Sequence, residues 1–139
     1  MIVLDTNVVS EPMRTLGDPA VQAWLNRQVA DTLFLTTTSL AELLVGVGVP
    51  PDGRRKSGLA AGLNGLLTAL FGNRILPFDQ PAAESYARLI AQARASGQVI
   101  SVADGQIAAI ATARGFAVAT RDVAPFVATG VRVINPWTD

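Results

Sequence analysis

Short apolar segments alternate along the chain with longer segments in which apolar residues recur at helical spacing. The short segments are rich in β-branched residues and end at polar or turn-forming residues, as is typical of buried strands. Helices of about ten residues or more are expected between most of them, which predicts βαβ units and a parallel sheet of four or five strands covered on both faces. The predicted strands are residues 2–4, 32–36, 75–78, 116–120 and 131–134.

Capping signals indicate where the helices begin. Asp18 and Asp79 each precede a segment with a proline in its first turn, which favours a helix start. Ser39 and Ser101 are expected to open two further helices. Pro77 cannot donate a hydrogen bond to a ladder, so the strand that contains it is expected at an edge of the sheet.

The size and composition of the chain exclude several kinds of chemistry. A length of 139 residues predicts one domain, residues 1–139. The chain has no cysteine and no histidine, which excludes a disulfide, a cysteine-ligated zinc, a thiolate nucleophile and a Ser-His-Asp triad. Eleven basic residues balance eleven acidic ones, which argues against a high-affinity, non-specific nucleic-acid binder. Hydrolytic chemistry would therefore rest on carboxylates and a hard cation.

Nothing in the sequence predicts export or membrane insertion. The first residues lack a basic segment and reach an acid at Asp5, unlike a signal peptide. The longest stretch poor in polar residues, 58–71, is shorter than the roughly 20 residues that a membrane span needs. We expect a cytoplasmic protein with no membrane partner.

Four acids occupy comparable positions beside the predicted strands. Asp5 ends the first strand, Glu42 follows the second, and Asp104 and Asp122 flank the fourth. In a parallel sheet these positions lie at the carboxyl end, where ligands bind, and the first and fourth strands are expected to be neighbours at the topological switch point. The other acids are expected in turns, caps or solvent: Asp18, Asp31, Asp52 and Asp79 in turns or caps, and Glu11, Glu84 and Asp139 in solvent.

Each of the four acids also has an ordinary structural explanation. Asp5 could cap the helix that follows it, and Asp122 could be a turn residue. The segments 39–42 and 101–104 both fit a capping box, which would account for Glu42 and Asp104. The basic run Arg54-Arg55-Lys56 fits a solvated loop or helix face, with contacts to phosphates as the alternative. Convergence of the acids, rather than any one of them, indicates a site.

Several carboxylates close together need a cation to offset their charge. Oxygen-rich sites suit Mg²⁺ or Mn²⁺, and such ions commonly assist in-line displacement at phosphate by activating water. Four polar neighbours are expected to orient ligands and waters around this pocket: Thr6, Asn7, Ser39 and Thr120.

Four motifs together resemble a PIN domain, and within that family the chain is most similar to VapC toxins of the FitB type. The motifs are Leu4-Asp5-Thr6-Asn7, Ala41-Glu42-Leu43, Ala103-Asp104-Gly105-Gln106-Ile107-Ala108-Ala109 and Ala119-Thr120-Arg121-Asp122. The FitB-like features are the stretch from Asp5 to Pro12, Arg74-Ile75-Leu76-Pro77-Phe78 and Asn135-Pro136-Trp137.

The resemblance implies a three-layer α/β/α sandwich and a Mg²⁺- or Mn²⁺-dependent endoribonuclease that is the toxin of a toxin–antitoxin pair. It implies that Asp5, Glu42, Asp104 and Asp122 form an acidic metal-binding pocket. It also implies a homodimer and a VapB- or FitA-like antitoxin, through which the complex binds operator DNA. Members often have alanine after the third acid, and Gly105 is expected to loosen its helix without altering the chemistry.

Two rival functions are also compatible with the sequence. The first is a phosphatase in which Asp5 attacks phosphate covalently, although Asn7 stands where such enzymes usually have a second acid. The second is a PIN-fold binding module that acts mainly within an antitoxin–DNA complex and cleaves little RNA. A Rossmann nucleotide binder is excluded, because the glycines at 46 and 48 lack a third partner and follow a helix.

Overall fold

Five parallel strands form one sheet in a computed structural model that describes residues 1–139. The strands are β1 (Ile2–Leu4), β2 (Leu33–Thr36), β3 (Ile75–Leu76), β4 (Ala117–Ala119) and β5 (Val133–Ile134). Their spatial order is β3-β2-β1-β4-β5. The predictions that the third strand lies at an edge and that the first and fourth strands are neighbours are confirmed, although β3 ends just before Pro77.

The central strand β1 brings three strand ends together. Val3 pairs with Phe34 on one side and with Val118 on the other, and the Asp5 amide continues the ladder by donating to the Ala119 carbonyl at 2.9 Å. Because the strands are parallel, Asp5 leaves the sheet at the same end as the last residue of β2 and the residue after β4.

Seven α-helices and two 3₁₀ helices connect the strands. Asp18, Asp79 and Ser101 each cap a helix through the side chain, as predicted. The 3₁₀ helices are Glu11–Met13 and Ala30–Thr32. The α-helices are α1 (Thr6–Ser10), α2 (Pro19–Arg27), α3 (Thr37–Gly48), α4 (Arg54–Leu70), α5 (Gln80–Ala95), α6 (Val102–Arg114) and α7 (Val123–Ala128).

Two separate apolar cores lie on the two faces of the sheet, which makes the fold a three-layer sandwich. Side chains alternate along each strand, so Leu4 enters one core while its neighbour Val3 enters the other. Helices α1 to α4 pack on the Leu4 face, where Trp24 and Phe71 are buried. Helices α5 to α7 pack on the Val3 face, where Ile107 and Phe126 are buried. No helix is both long and apolar enough to cross a membrane.

Glu11 is buried, so the prediction that it is solvated was wrong. The residue retains only 5% exposure, and its side chain accepts hydrogen bonds from the Asp18 amide at 2.9 Å and from the Arg14 guanidinium at 3.3 Å. The acid thus closes the loop between the first 3₁₀ helix and α2. A contact with a backbone amide seven residues ahead cannot be predicted from the hydrophobic periodicity of a sequence.

Gly105 provides room for a close contact between α5 and α6. A Cβ atom at this position would lie 2.8 Å from Cε2 of Tyr86 and 3.2 Å from Cδ1 of Ile90. The expectation that Gly105 merely loosens α6 therefore misses its role, because the absence of a side chain lets the Tyr86 ring approach the helix backbone.

Gly105→Ala is expected to lower the free energy of unfolding by about 1–2 kcal/mol, measured by urea denaturation. Overpacking of a close contact typically costs about 1–3 kcal/mol, and the better helix propensity of alanine offsets up to about 1 kcal/mol. Gly62→Ala is the matched control, because nothing lies within 4 Å of a Cβ atom at that position of α4. The control is expected to be stabilising, and equal effects in the two variants would contradict the packing explanation.

Candidate active site

Asp5 is the buried acid at the centre of the site, with 6% exposure. Its Oδ1 accepts from the Thr6 amide at 2.7 Å, and its Oδ2 accepts from the Thr120 hydroxyl at 2.7 Å. The first bond makes Asp5 the N-cap of α1. Capping and a place in the site are therefore compatible for this residue, because each oxygen keeps a second lone pair for another partner.

Glu42 is exposed and lies in the second turn of α3. The prediction that Ser39 opens this helix was wrong: Thr36 is the N-cap, with its hydroxyl accepting from the Ser39 amide at 3.0 Å. Thr36 ends β2 in an extended conformation, which suits an N-cap. Glu42 is thus too far along the helix for a capping box, and its Oε1 instead accepts from the Thr6 hydroxyl at 2.9 Å.

Asp104 and Asp122 approach from the opposite side of β1. Asp104 lies in the first turn of α6, and its amide donates to the Ser101 hydroxyl at 3.1 Å, as expected of a capping serine. Asp122 is exposed at the start of α7, and its amide donates to the Thr120 hydroxyl at 3.0 Å. The Asp122 side chain makes no capping bond, so it is free to face the site.

The four acids act on one another electrostatically. Burial raises the pKa of Asp5 to about 6, with further contributions from the charges of Asp104 and Glu42, against hydrogen bonds from Thr120 and Thr6 that lower it. Burial also raises the pKa of Asp104, opposed by a hydrogen bond from Ser101 and reinforced by the charges of Asp122 and Glu42. All four predicted acids therefore contribute to one negative field.

Thr120 and Asn7 connect the strand ends beneath these acids. Thr120 is fully buried, and its hydroxyl, which donates to Asp5, also accepts from the Asn7 side-chain amide at 3.5 Å. The Asn7 side-chain Oδ1 in turn accepts from the Arg121 backbone amide at 3.3 Å. Both residues, predicted as supports of the pocket, thus tie the end of β4 to the end of β1.

A second link joins the two helices that carry Glu42 and Asp104. The Thr38 hydroxyl donates to the Gln106 side-chain carbonyl at 2.9 Å, which connects α3 to α6. Sequence reasoning missed this pair, although the run of hydroxyl residues at 36–39 and the amide two positions after Asp104 were visible signals. Ser39, predicted as a support, is fully buried, and its hydroxyl oxygen has no hydrogen-bond partner.

No basic side chain neutralises the site. The four ion pairs of the chain are formed by Arg14, Lys56, Arg74 and Arg114, all with other acids. Arg121 stands between Thr120 and Asp122 in sequence, but its guanidinium lies over the Trp137 ring, 5.3 Å from the ring centroid. The negative field of the acids is therefore left to be balanced from outside the chain.

No group of three or more acidic side chains is arranged to hold a metal ion by itself. Water or substrate oxygens would complete any coordination shell. This is usual for Mg²⁺, which is commonly bound through one or two carboxylates and keeps several waters.

The sequence matches the PIN domain family over residues 2–130. It is 50% identical over 137 residues to the VapC ribonuclease Y4jK of Sinorhizobium fredii, covering 99% of this chain and 98% of that protein. It is 43% identical to the toxin FitB of Neisseria gonorrhoeae over the full length of both chains. The fold matches the solved structure of FitAB bound to an IR36 DNA fragment with a TM-score of 0.95 and 41% identity, covering 100% of this chain and 97% of that one.

These similarities extend over nearly the whole chain and agree with its α/β fold around a five-stranded parallel sheet. The chain belongs to the PIN-domain family, in the branch that contains the VapC and FitB toxins.

Proposed function

We propose that this protein is a divalent-metal-dependent endoribonuclease with Asp5, Glu42, Asp104 and Asp122 as its active-site acids. The observation that carries the proposal is the gathering of these acids without a basic partner: burial, reinforced by the charges of the neighbouring acids, raises the pKa of Asp5 to about 6 and that of Asp104 above its ordinary value. Perturbed carboxylates gathered at the carboxyl end of a parallel sheet are typical of a catalytic site. The name of the ribonuclease relative supports RNA as the substrate.

The donor set fits Mg²⁺ or Mn²⁺. All the available side-chain ligands are oxygens, which these hard cations prefer, and the chain offers no imidazole or thiolate. The unpartnered Ser39 hydroxyl, one turn before Glu42, is a further polar group that a hydrated site could satisfy.

In the proposed reaction the acids hold the cation and the support residues fix their orientation. Asp5 and Asp104 are the principal ligands, with Glu42 and Asp122 completing the set directly or through water. Bound there, the cation supplies Lewis acidity that makes water a better nucleophile near neutral pH and offsets charge on the phosphate. Thr120 and the Thr6 amide hold the Asp5 carboxylate in one orientation. No side-chain nucleophile is required.

We further propose that the protein is the toxin of a toxin–antitoxin pair and acts in the cytoplasm as a single-domain subunit of a homodimer. The names of the VapC and FitB relatives support the toxin role, and the DNA-bound FitAB structure supports an antitoxin that carries the complex to operator DNA. The exposed apolar side chains of Leu44, Val45 and Val49 at one end of α3 offer surface for a partner.

The alternative function is a PIN-fold module that acts mainly within an antitoxin–DNA complex and cleaves little RNA. The DNA-bound state of the similar FitAB complex favours this alternative. The presence of all four acids, together with the hydrogen bonds that orient Asp5, favours the nuclease instead.

Antitoxin-free protein is expected to cleave mixed cellular RNA with Mg²⁺ or Mn²⁺ and to lose this activity in chelator. The same ions are expected to raise the thermal midpoint of unfolding, because a ligand that binds only the folded state stabilises it by about 2.7 kcal/mol at a hundredfold excess over its Kd. Gel analysis of the RNA and a thermal melt with and without metal test both statements.

Folded protein that gains stability from metal but cleaves no RNA would favour the complex-only module. Cleavage that persists in chelator would contradict metal dependence. A thermal midpoint that does not respond to either ion would argue against a metal site at these acids.

A further inference from the structure

A cleft of about 900 Å³ adjoins the acidic site. It lies between α1, α3 and α4, and it shares Thr6 and Glu42 with the site described above. Its charged residues are one acid and three arginines, which makes its lining net positive beside a net negative site. We call it the basic cleft; the residues that line it include Thr6, Arg14, Glu42, Arg54, Arg55 and Leu63.

Arg54 and Arg55 are available for a ligand, whereas Arg14 is engaged. The Arg14 guanidinium pairs with buried Glu11 at 3.3 Å. Neither Arg54 nor Arg55 takes part in any of the four ion pairs, neither side chain makes a hydrogen bond within the chain, and both residues are exposed.

Arg54 and Arg55 do not stabilise the fold from where they lie. Both arginines lie in the first turn of α4, where positive charge opposes the helix dipole, and no acid occupies that turn. Lys56, the third member of the basic run, pairs with Asp52 at 3.1 Å and so has a local partner. The two unpaired arginines instead face the cleft that leads to Glu42.

We infer that the basic cleft is the RNA track and that Arg54 and Arg55 bind phosphates next to the one that is cleaved. This inference rests on the proposed nuclease function. A chain with no net charge attracts RNA weakly as a whole, and four acids repel phosphate, so the substrate needs a local cationic contact. The apolar floor, which includes the buried Leu63, is suited to the bases of an unpaired strand.

The test compares Arg54→Gln/Arg55→Gln with Arg27→Gln/Arg94→Gln. The control pair removes the same charge from exposed last-turn positions of α2 and α5 that do not line the cleft. Binding of a fluorescent, random-sequence single-stranded RNA of about 20 nucleotides is measured by anisotropy over a range of salt concentrations, with Asp5→Asn added to every variant to prevent cleavage. Steady-state cleavage of the same RNA is measured without that addition.

The Arg54→Gln/Arg55→Gln variant is expected to bind RNA roughly 10- to 30-fold more weakly at about 0.1 M salt. Two lost single-strand phosphate contacts should reduce the slope of log K against log salt by about 1.4. The control pair is expected to change affinity by less than about twofold, and Arg54→Lys/Arg55→Lys should retain most of the slope, since lysine keeps the charge. In cleavage, KM should rise more than kcat falls.

The inference is overturned if the double glutamine variant binds RNA as tightly as the parent does, or if the control pair loses as much RNA affinity. It is also overturned if the double glutamine variant binds an antitoxin more weakly but binds RNA normally. Thermal melts of all variants, with Arg54→Lys/Arg55→Lys as the folded reference, distinguish the loss of a contact with RNA from unfolding of the protein. Absence of cleavage by the parent with either metal would defeat the proposed function, whereas unchanged RNA affinity alongside intact cleavage would defeat this inference alone.

Discussion

Asp5→Asn is expected to reduce metal-dependent RNA cleavage by about 10³-fold and, at the same time, to stabilise the free protein at pH 7. The loss of activity would follow from removing a proposed principal ligand of the cation, because a bound cation contributes several kcal/mol of transition-state charge stabilisation. The gain in stability follows from removing a charge that the metal-free fold accommodates poorly.

The sign of the stability effect follows from the pKa of Asp5, about 6 in the folded protein and about 3.9 in an unfolded chain. Below about pH 4 the group is protonated in both states and has no effect. Between about pH 4 and 6 the unfolded chain ionises first, so the free energy of unfolding falls as the pH rises. Above about pH 6 the full penalty of about 3 kcal/mol is present. Asp104, whose pKa is also raised, acts in the same direction.

Urea unfolding of the parent and of Asp5→Asn at pH 4 and pH 7, without metal, measures this change in the free energy of unfolding. The asparagine variant is expected to exceed the parent by up to about 3 kcal/mol at pH 7 and to match it at pH 4. A variant less stable than the parent at pH 7 would contradict the electrostatic explanation, and cleavage that survives the substitution would mean that the site is misplaced.

Thr120→Val is expected to reduce cleavage by about 10- to 100-fold, the usual range for losing a support of a metal ligand. Valine has the shape of threonine but cannot donate to Asp5, and it cannot accept from the Asp122 amide. Loss of the donor raises the pKa of Asp5 above about 6, because that hydrogen bond lowers it in the parent. Thr120 does not touch the substrate in this proposal, so it is a positioning residue.

The pH dependence of metal activation distinguishes this role from a general loss of fold. Protons compete with the cation for Asp5, so the metal concentration for half-maximal cleavage should rise as the pH falls below the pKa of Asp5. In Thr120→Val this rise is expected to begin at a higher pH than in the parent, while Thr120→Ser, which keeps the hydroxyl, should follow the parent. A uniform loss of activity at every pH would indicate a structural defect instead.

The sequence was sufficient to predict the sheet and the four acids because both depend on local pattern. Each strand is a short apolar run, and each acid either follows a strand or lies in an early turn of a helix, so a parallel sheet brings all four to its carboxyl end: Asp5, Glu42, Asp104 and Asp122. The edge position of β3 followed from Pro77. The role of the acids as metal ligands remains a prediction.

What could not be predicted depends on contacts between distant segments or on a choice among equivalent residues. Thr36 rather than Ser39 caps α3, and four consecutive hydroxyl residues gave no basis for choosing between them. The burial of Glu11 depends on how the following loop turns back, and the need for glycine at position 105 depends on a ring from α5. Periodicity carries no information on either contact.

The central position of β1 also governs when activity can first arise during synthesis. Asp5 leaves the ribosome among the first residues, but its Thr120 partner is 115 positions later, and β1 must wait equally long for β4 to complete its pairing. Contacts between such distant segments form slowly, because a long loop must close first. A growing chain therefore carries its principal acid in an unassembled state until nearly all of it has been made, and translation products cut short before β4 are expected to be inert.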